Sequence, residues 1–411
     1  MTTKTKTTWR TVRLRDVIQN PLGGDWGKEL PDPQFSEEVY AIRGTDFSAL
    51  ETGDFSKVKT RFIKKTSLDK RRLVEGDIVM EISGGSKGQP VGRSFIITSG
   101  LLTKAGKPLV YSNFCRRLRV SDDNDPRYLF YFLQKFYSSP EVLSFQTQST
   151  GISNFHFTAF VEYKEIFVPR LDVQVEIGRI LAAFDEKIEN NNRIIKTLEE
   201  MAQAIFKKQF DVPVDDLPEG WEVKKLGELG KVVTGKTPST KDKENFGTDY
   251  PFITIPDLQN GVFVIKTERF LSDRGANTMR ASKLPAGAIC VSCIATIGLV
   301  GIVTRESFTN QQINSIIPRS KILQPFIFLL LQKMKGSLQS HASGGTAAPI
   351  ISKSAFEKIE IVFPTEKVLK DFYEVVNPMF DKVLAILEEN QKLAATRDLL
   401  LPRLMSGKIR V

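Results

Sequence analysis

Apolar residues recur at alternating spacings of four and three along two stretches of the chain, Asp172 to Phe210 and Thr365 to Leu404. The first stripe runs through Ile177, Leu181, Phe184, Ile188, Asn191, Ile195, Leu198, Ala202 and Ile205. The second runs through Phe372, Val376, Met379, Val383, Ile386, Asn390, Leu393, Arg397, Leu400 and Leu404. Such spacing is the seam of a coiled coil, and at about 1.5 Å per residue each helix is a rod of roughly 50–60 Å. Neither can bury its stripe alone, so the pattern predicts that they pair with each other. In an antiparallel pair, Asn191 and Asn390 come close together near mid-rod, where a buried amide penalises slipped registers. The alternative is two helices packed separately, each on its own domain.

Ahead of each rod the pattern changes to short β-branched runs broken by glycine-rich loops and occasional helices. Trp9 to Val17 returns as Trp221 to Leu229, and Leu73 to Val79 returns as Leu284 to Cys290. Tyr128 to Gln134 returns as Phe326 to Gln332, each after a proline, Pro126 or Pro325. Ile166 to Pro169 returns as Ile361 to Pro364, and each proline leads into a rod with Asp172 or Thr365 as N-cap. The predicted class is α+β: two mixed domains separated by two long antiparallel helices in a pseudo-twofold internal repeat. The expected boundaries are 1–168 and 219–363 for the domains, 169–210 and 364–411 for the helices, and 211–218 for a linker. Pro213 and Pro218 stop the first rod from continuing.

A length of 411 residues suits two domains with sizeable cores, and no apolar run reaches the roughly 20 residues of a spanning helix. Residues 1–9 carry no hydrophobic signal segment, so a cytoplasmic protein is expected, without membrane contact. Cys115, Cys290 and Cys293 are too few for a disulfide framework. With only His156 and His341 to accompany them, Cys290 and Cys293 read as a buried strand and not as a zinc site. The net charge of +10 calls for an acidic partner. Lys and Arg outnumber Asp and Glu by 26 to 19 in residues 1–170 and by 18 to 15 in 211–364, but stand at 6 to 7 in 171–210 and 8 to 7 in 365–411. The excess therefore lies on the domains, as expected if these touch phosphates while the rods touch protein.

Motifs for catalysis are poor. Gly230 to Thr237 spells a P-loop, but Pro238 follows where a helix must begin, and Trp221 to Leu229 is no buried strand; an exposed basic turn is expected instead. Asp125 to Tyr128 and Asn377 to Phe380 resemble an amino-methyltransferase loop lacking its second proline, and read as a helix start and a rod segment. No metal or cofactor site is expected. Candidate DNA contacts are Lys64, Arg71, Lys87, Gln89 and Arg93 in the first domain. In the second they are Lys236, Thr237, Ser239, Lys241, Arg274, Arg280, Asn310, Gln311, Ser343 and Thr346. Cations meet phosphates, glycines let backbone approach, and Asn or Gln reads adenine through N6 and N7.

Gln174, Ile177, Ile180 to Leu181, Asp185, Ile188, Asn191, Leu198 and Ala202 to Phe206 resemble the first conserved helix of the specificity subunits of type I restriction-modification enzymes. Arg397 to Ile409 resembles the second, and Trp221 to Leu229, Gly235 to Pro238 and Asn310-Gln311 resemble parts of their target-recognition domains. The resemblance implies a non-catalytic subunit whose two domains each read half of an asymmetric, bipartite DNA site, with the helix pair as a ruler. It further implies two modification subunits, which bind S-adenosylmethionine and methylate adenine N6, and two restriction subunits using ATP and Mg. This chain would hold none of those cofactors. Two other readings compete: a P-loop nucleotide-binding enzyme built on Gly230 to Thr237, and a coiled-coil adaptor with basic domains.

Overall fold

The strand Arg10–Arg13 pairs antiparallel with Glu165–Val168, Val12 opposite Ile166. Far along the chain Glu222–Lys225 pairs in the same way with Glu360–Phe363, Val223 opposite Val362. Each first strand ends in a single 3-10 turn, Leu14–Asp16 or Leu226–Glu228, whose leucine is fully buried. The last carboxylate of each turn accepts from the backbone N–H just before it, Arg13 to Asp16 at 3.1 Å and Lys225 to Glu228 at 2.8 Å. The echo between Trp9 and Trp221 is thus one local structure built twice. The computed structural model describes residues 9–84, 89–149, 152–259, 261–340 and 349–411.

The duplication extends to the sheets. One unit has a sheet in the order Leu22–Gly23, Cys115–Leu118, Ile78–Glu81, Ser94–Ile96. The other has Gly230–Thr234, Ile313–Pro318, Ile289–Ser292, Val300–Val303, with Phe263–Val264 added at the edge. A second sheet sets Glu37–Ile42 between Lys59–Ile63 and a parallel Leu109–Tyr111. Its counterpart sets Phe246–Ile253 between Arg269–Leu271 and a parallel Phe308–Thr309. The first unit also has a three-stranded sheet of Gln146–Ser149, Ile152–Phe155 and Ser83–Gly84. Cys290 lies on a wholly buried strand and Cys293 just beyond it, also buried, as the β-branched run predicts.

The long helices are Leu171–Phe210 and Glu366–Leu404. Thr365 caps the second, its hydroxyl accepting from the Val368 N–H at 3.5 Å. Asp172 is not a cap; it lies within the first turn, where its charge complements the helix dipole. Asn377 to Phe380 falls inside the second helix, and Asp125 caps the helix Pro126–Tyr137 through the Tyr128 N–H at 2.8 Å.

Two compact units result, Met1–Asn192 with Gln391–Val411, and Arg193–Asn390. The division falls near the middle of both long helices and groups the first half of one with the second half of the other, so the pair is antiparallel. Ile177, Leu181, Asn191, Ile195 and Ala202 are buried on one seam, and Phe372, Val376, Val383, Ile386 and Leu404 on the other. Phe184, Ile188, Leu198, Ile205, Met379, Asn390, Leu393 and Leu400 are half-buried.

The helices are also part of each unit's core. In the first, Ile177 and Leu181 share a cluster with Tyr128, Ile166 and Leu404. In the second, the Phe210 ring lies 4.9 Å from that of Phe372 and 5.1 Å from that of Phe326. Full burial of such a side chain contributes about 1.5–3 kcal/mol, so the helices are held by the domains as well as by their own seam. Among the described residues, no helix is long and apolar enough to cross a membrane.

Candidate nucleic-acid interface

In the second unit the run that spells a P-loop begins as a strand. Gly230–Thr234 pairs antiparallel with Ile313–Pro318, and Gly230, Val232 and Val233 are buried. No helix follows: a loop leads to the short 3-10 turn Lys243–Asn245. A phosphate cradle needs helix N-terminal amides at this point, and exposure in this loop is confined to Lys236, Thr237 and Ser239 to Lys241, with Gly235 and Pro238 buried.

That loop is fastened to the turn Asn310-Gln311-Gln312. A β-carbon at Gly235 would collide with the carbonyl oxygens of Thr309 and Asn310, so glycine is required for the close approach. The Lys236 N–H donates to the Thr309 carbonyl at 2.9 Å, and the Thr237 hydroxyl donates to Gln311 Oε1 at 2.5 Å. Asn310 is committed to its own turn: its Nδ2 donates to Gln312 Oε1 at 2.9 Å and its Oδ1 accepts from the Gln312 N–H at 3.1 Å. Gln311 and Gln312 keep their NH2 groups without a partner among the described residues, and the Thr237 bond fixes the plane of the Gln311 amide. An oriented amide beside an exposed ammonium, Lys236, suits a base edge next to a phosphate.

The other candidates of this unit differ. Lys241 is exposed with no side-chain partner among the described residues. The Ser239 carbonyl accepts from Asn245 Nδ2 at 3.1 Å. Arg274 is ion-paired with Glu244 and, at 2.8 Å, with Asp242, two carboxylates that offset its charge. Arg280 donates to Asn277 Oδ1 at 2.9 Å. Ser343 and Thr346 lie outside the described residues.

In the first unit two arginines hold the fold. Arg93 makes a bidentate pair with the buried Glu81, at 3.0 and 2.9 Å. Arg71 donates to the Gly23 carbonyl at 2.8 Å and to the Ser67 hydroxyl at 3.1 Å. Lys64 lies over the Phe35 ring, 5.2 Å from its centroid, with its ammonium exposed. Lys65 and Arg72 nearby are exposed and have no side-chain partner among the described residues. Gln89 is exposed and bonds to Tyr137, and Lys87 lies outside the described residues. Gly24 is not among the candidates above, although a glycine recurs at nearly the same distance past Trp9 and Trp221, a spacing that marks it as the counterpart of Gly235.

The sequence profile of the type I restriction modification DNA specificity domain matches residues 6–200 and again residues 218–392. The chain belongs to this family. It is 37% identical to the type I restriction enzyme HindI specificity subunit of Haemophilus influenzae over 59% of this chain and 68% of that one. It is 26% identical to the MjaVIII specificity subunit of Methanocaldococcus jannaschii over 98% of this chain and 93% of that one. Its fold matches the crystal structure of a type I restriction-modification S subunit from M. genitalium, with a TM-score of 0.60, 15% identity and 98% coverage of both chains. The chain is a type I specificity subunit, a non-catalytic protein whose role is DNA sequence recognition.

Proposed function

We propose that this specificity subunit reads a bipartite, asymmetric DNA site, one half with each unit. On this reading the shared helices set the spacer, and the complex is completed by two modification subunits that methylate adenine N6 with S-adenosylmethionine and two ATP- and Mg-dependent restriction subunits. It works on cytoplasmic DNA. The observation that carries the reading is the duplication: one strand framework is built twice, in matching order, from different surface side chains. Matching central sheets with unequal surfaces suit two recognition events of one kind and different content. The exposed cations Lys64, Lys236 and Lys241 supply the phosphate contacts, and the Gln311 amide, oriented by Thr237, supplies a base contact.

The test is competition binding of the chain, purified with its modification subunits, between duplexes that carry the methylated site and duplexes that scramble it, as salt is raised. A sequence reader keeps its preferred duplex while affinity for the scrambled one falls away. A basic adaptor loses both in parallel.

A further inference from the structure

The turn that carries Gln311 and Gln312 has a twin in the first unit, and the backbone hydrogen bonds identify it residue by residue. The Asn310 N–H donates to the Ile253 carbonyl at 3.1 Å, and the Ser112 N–H to the Ile42 carbonyl at 2.8 Å. Lys236 N–H donates to Thr309 at 2.9 Å, and Asp25 N–H to Tyr111 at 2.9 Å. Ile313 N–H donates to Asn310 at 3.2 Å, and Cys115 N–H to Ser112 at 2.9 Å. Cys293 N–H donates to Gln312 at 2.8 Å, and Ile82 N–H to Phe114 at 2.8 Å. Gly24 even repeats the close approach of Gly235: a β-carbon there would collide with the carbonyl oxygens of Tyr111 and Ser112. Asn113 therefore stands where Gln311 stands, and Phe114 where Gln312 stands.

The side chains of this twin are presented outward. Asn113 is exposed, and its amide has no hydrogen-bond partner among the described residues. Phe114 is 61% exposed although its carbonyl accepts from the Ile82 N–H and the other three bonds hold the residues beside it. A lone exposed phenylalanine is ordinary on a surface. One held on a rigid turn, next to an unpaired amide that stands at the position of Gln311 in the other copy, has a use. Arg116 adds a cation beside it, its guanidinium held by the Asn113 and Cys115 carbonyls at 3.3 and 3.1 Å.

Resting on the functional reading above, we infer that Asn113 and Phe114 are specificity-determining residues of the first unit. The Asn113 amide takes an adenine through N6 and N7, and the Phe114 ring packs on the thymine methyl of an adjoining pair. Both contacts fall in the half-site that Gln311 does not read.

The test uses the full chain in complex with its modification subunits and, as probes, duplexes carrying each single base change across the motif methylated by the wild type. Asn113→Ala and Phe114→Ala are each expected to lose about 10- to 100-fold of discrimination at one or two A·T pairs of one half. Discrimination in the other half, and affinity for an unrelated duplex, stay as in the wild type. Gln311→Ala does the converse. Phe114→Leu and Asn113→Ser provide the same comparison if an alanine variant lowers the melting temperature. Discrimination unchanged in both halves, or lost in the half that responds to Gln311→Ala, overturns the assignment while leaving the functional reading intact. Loss of all duplex binding in a variant that melts like the wild type also overturns it, because removal of a base reader leaves phosphate contacts in place. A wild-type complex that methylates no split motif overturns the functional reading and the assignment together.

Discussion

Arg397, the one charged position on the second seam, is ion-paired with Asp185 of the first long helix. The same carboxylate accepts from the Tyr131 hydroxyl at 2.5 Å, and Arg397 also donates to Asp398 at 3.0 and 2.8 Å. One carboxylate thus ties both helices to the Pro126–Tyr137 helix of the first unit. Burial, together with the Asp185 charge, holds the Tyr131 hydroxyl well above its ordinary range, so it stays a donor at any working pH.

Arg397→Ala is expected to cost about 1–3 kcal/mol in chemical denaturation, since Asp185 is left half-buried without its cation. A double-mutant cycle with Asp185→Ala checks the pair: non-additivity is expected, and purely additive effects mean that the contact contributes nothing.

Arg93→Ala is expected to act first on stability, by about 2–4 kcal/mol, because the Glu81 carboxylate is only 5% exposed and loses both its bonds from this guanidinium. Arg93→Lys restores little, as an ammonium cannot make the two parallel bonds. Thermal melting decides; a variant that melts like the wild type yet binds DNA weakly returns Arg93 to the interface.

Glu199 faces the Val262 N–H at 3.4 Å, and burial raises its carboxyl above the ordinary value of 4.5. The folded chain disfavours the carboxylate, so this group's contribution to stability is complete below about pH 4.5 and is lost as pH rises through the raised folded value. Glu199→Gln should therefore raise the melting temperature at pH 7.5, by about 1–3 °C, and leave it unchanged near pH 4. Equal shifts at both pH values would contradict this.

Gly24→Ala and Gly235→Ala each force a β-carbon against turn carbonyls and should each cost about 1–3 kcal/mol. Their effects on recognition differ: each disturbs one half-site only. Binding to duplexes varied in one half at a time measures this, and identical profiles for the two variants would refute it.

The helix pair was legible in the sequence because spacing alone determines which faces meet. It blurred where two apolar residues compete for one position: Phe380 is buried against the rings of Phe263 and Phe328 while Met379 is half-buried. Cations were less legible. Arg71 and Arg93 look like any surface arginine until tertiary structure brings Gly23 and Glu81 to them. The partner of Arg397 on the second seam was not legible either, because Asp185 lies on the other helix. The turn at Asn113 was hidden because its likeness to Gln311 is held in backbone hydrogen bonds and not in residue identity.

The central claim is that two independent readers share one chain. Replacing the first domain, residues 1–168, with that of a relative of different specificity, expressing the chimera with its modification subunits and mapping N6-methyladenine across the genome tests it most directly. One half of a split motif should change while the other half and the spacer persist. A motif altered in both halves, or a continuous motif, would contradict the account.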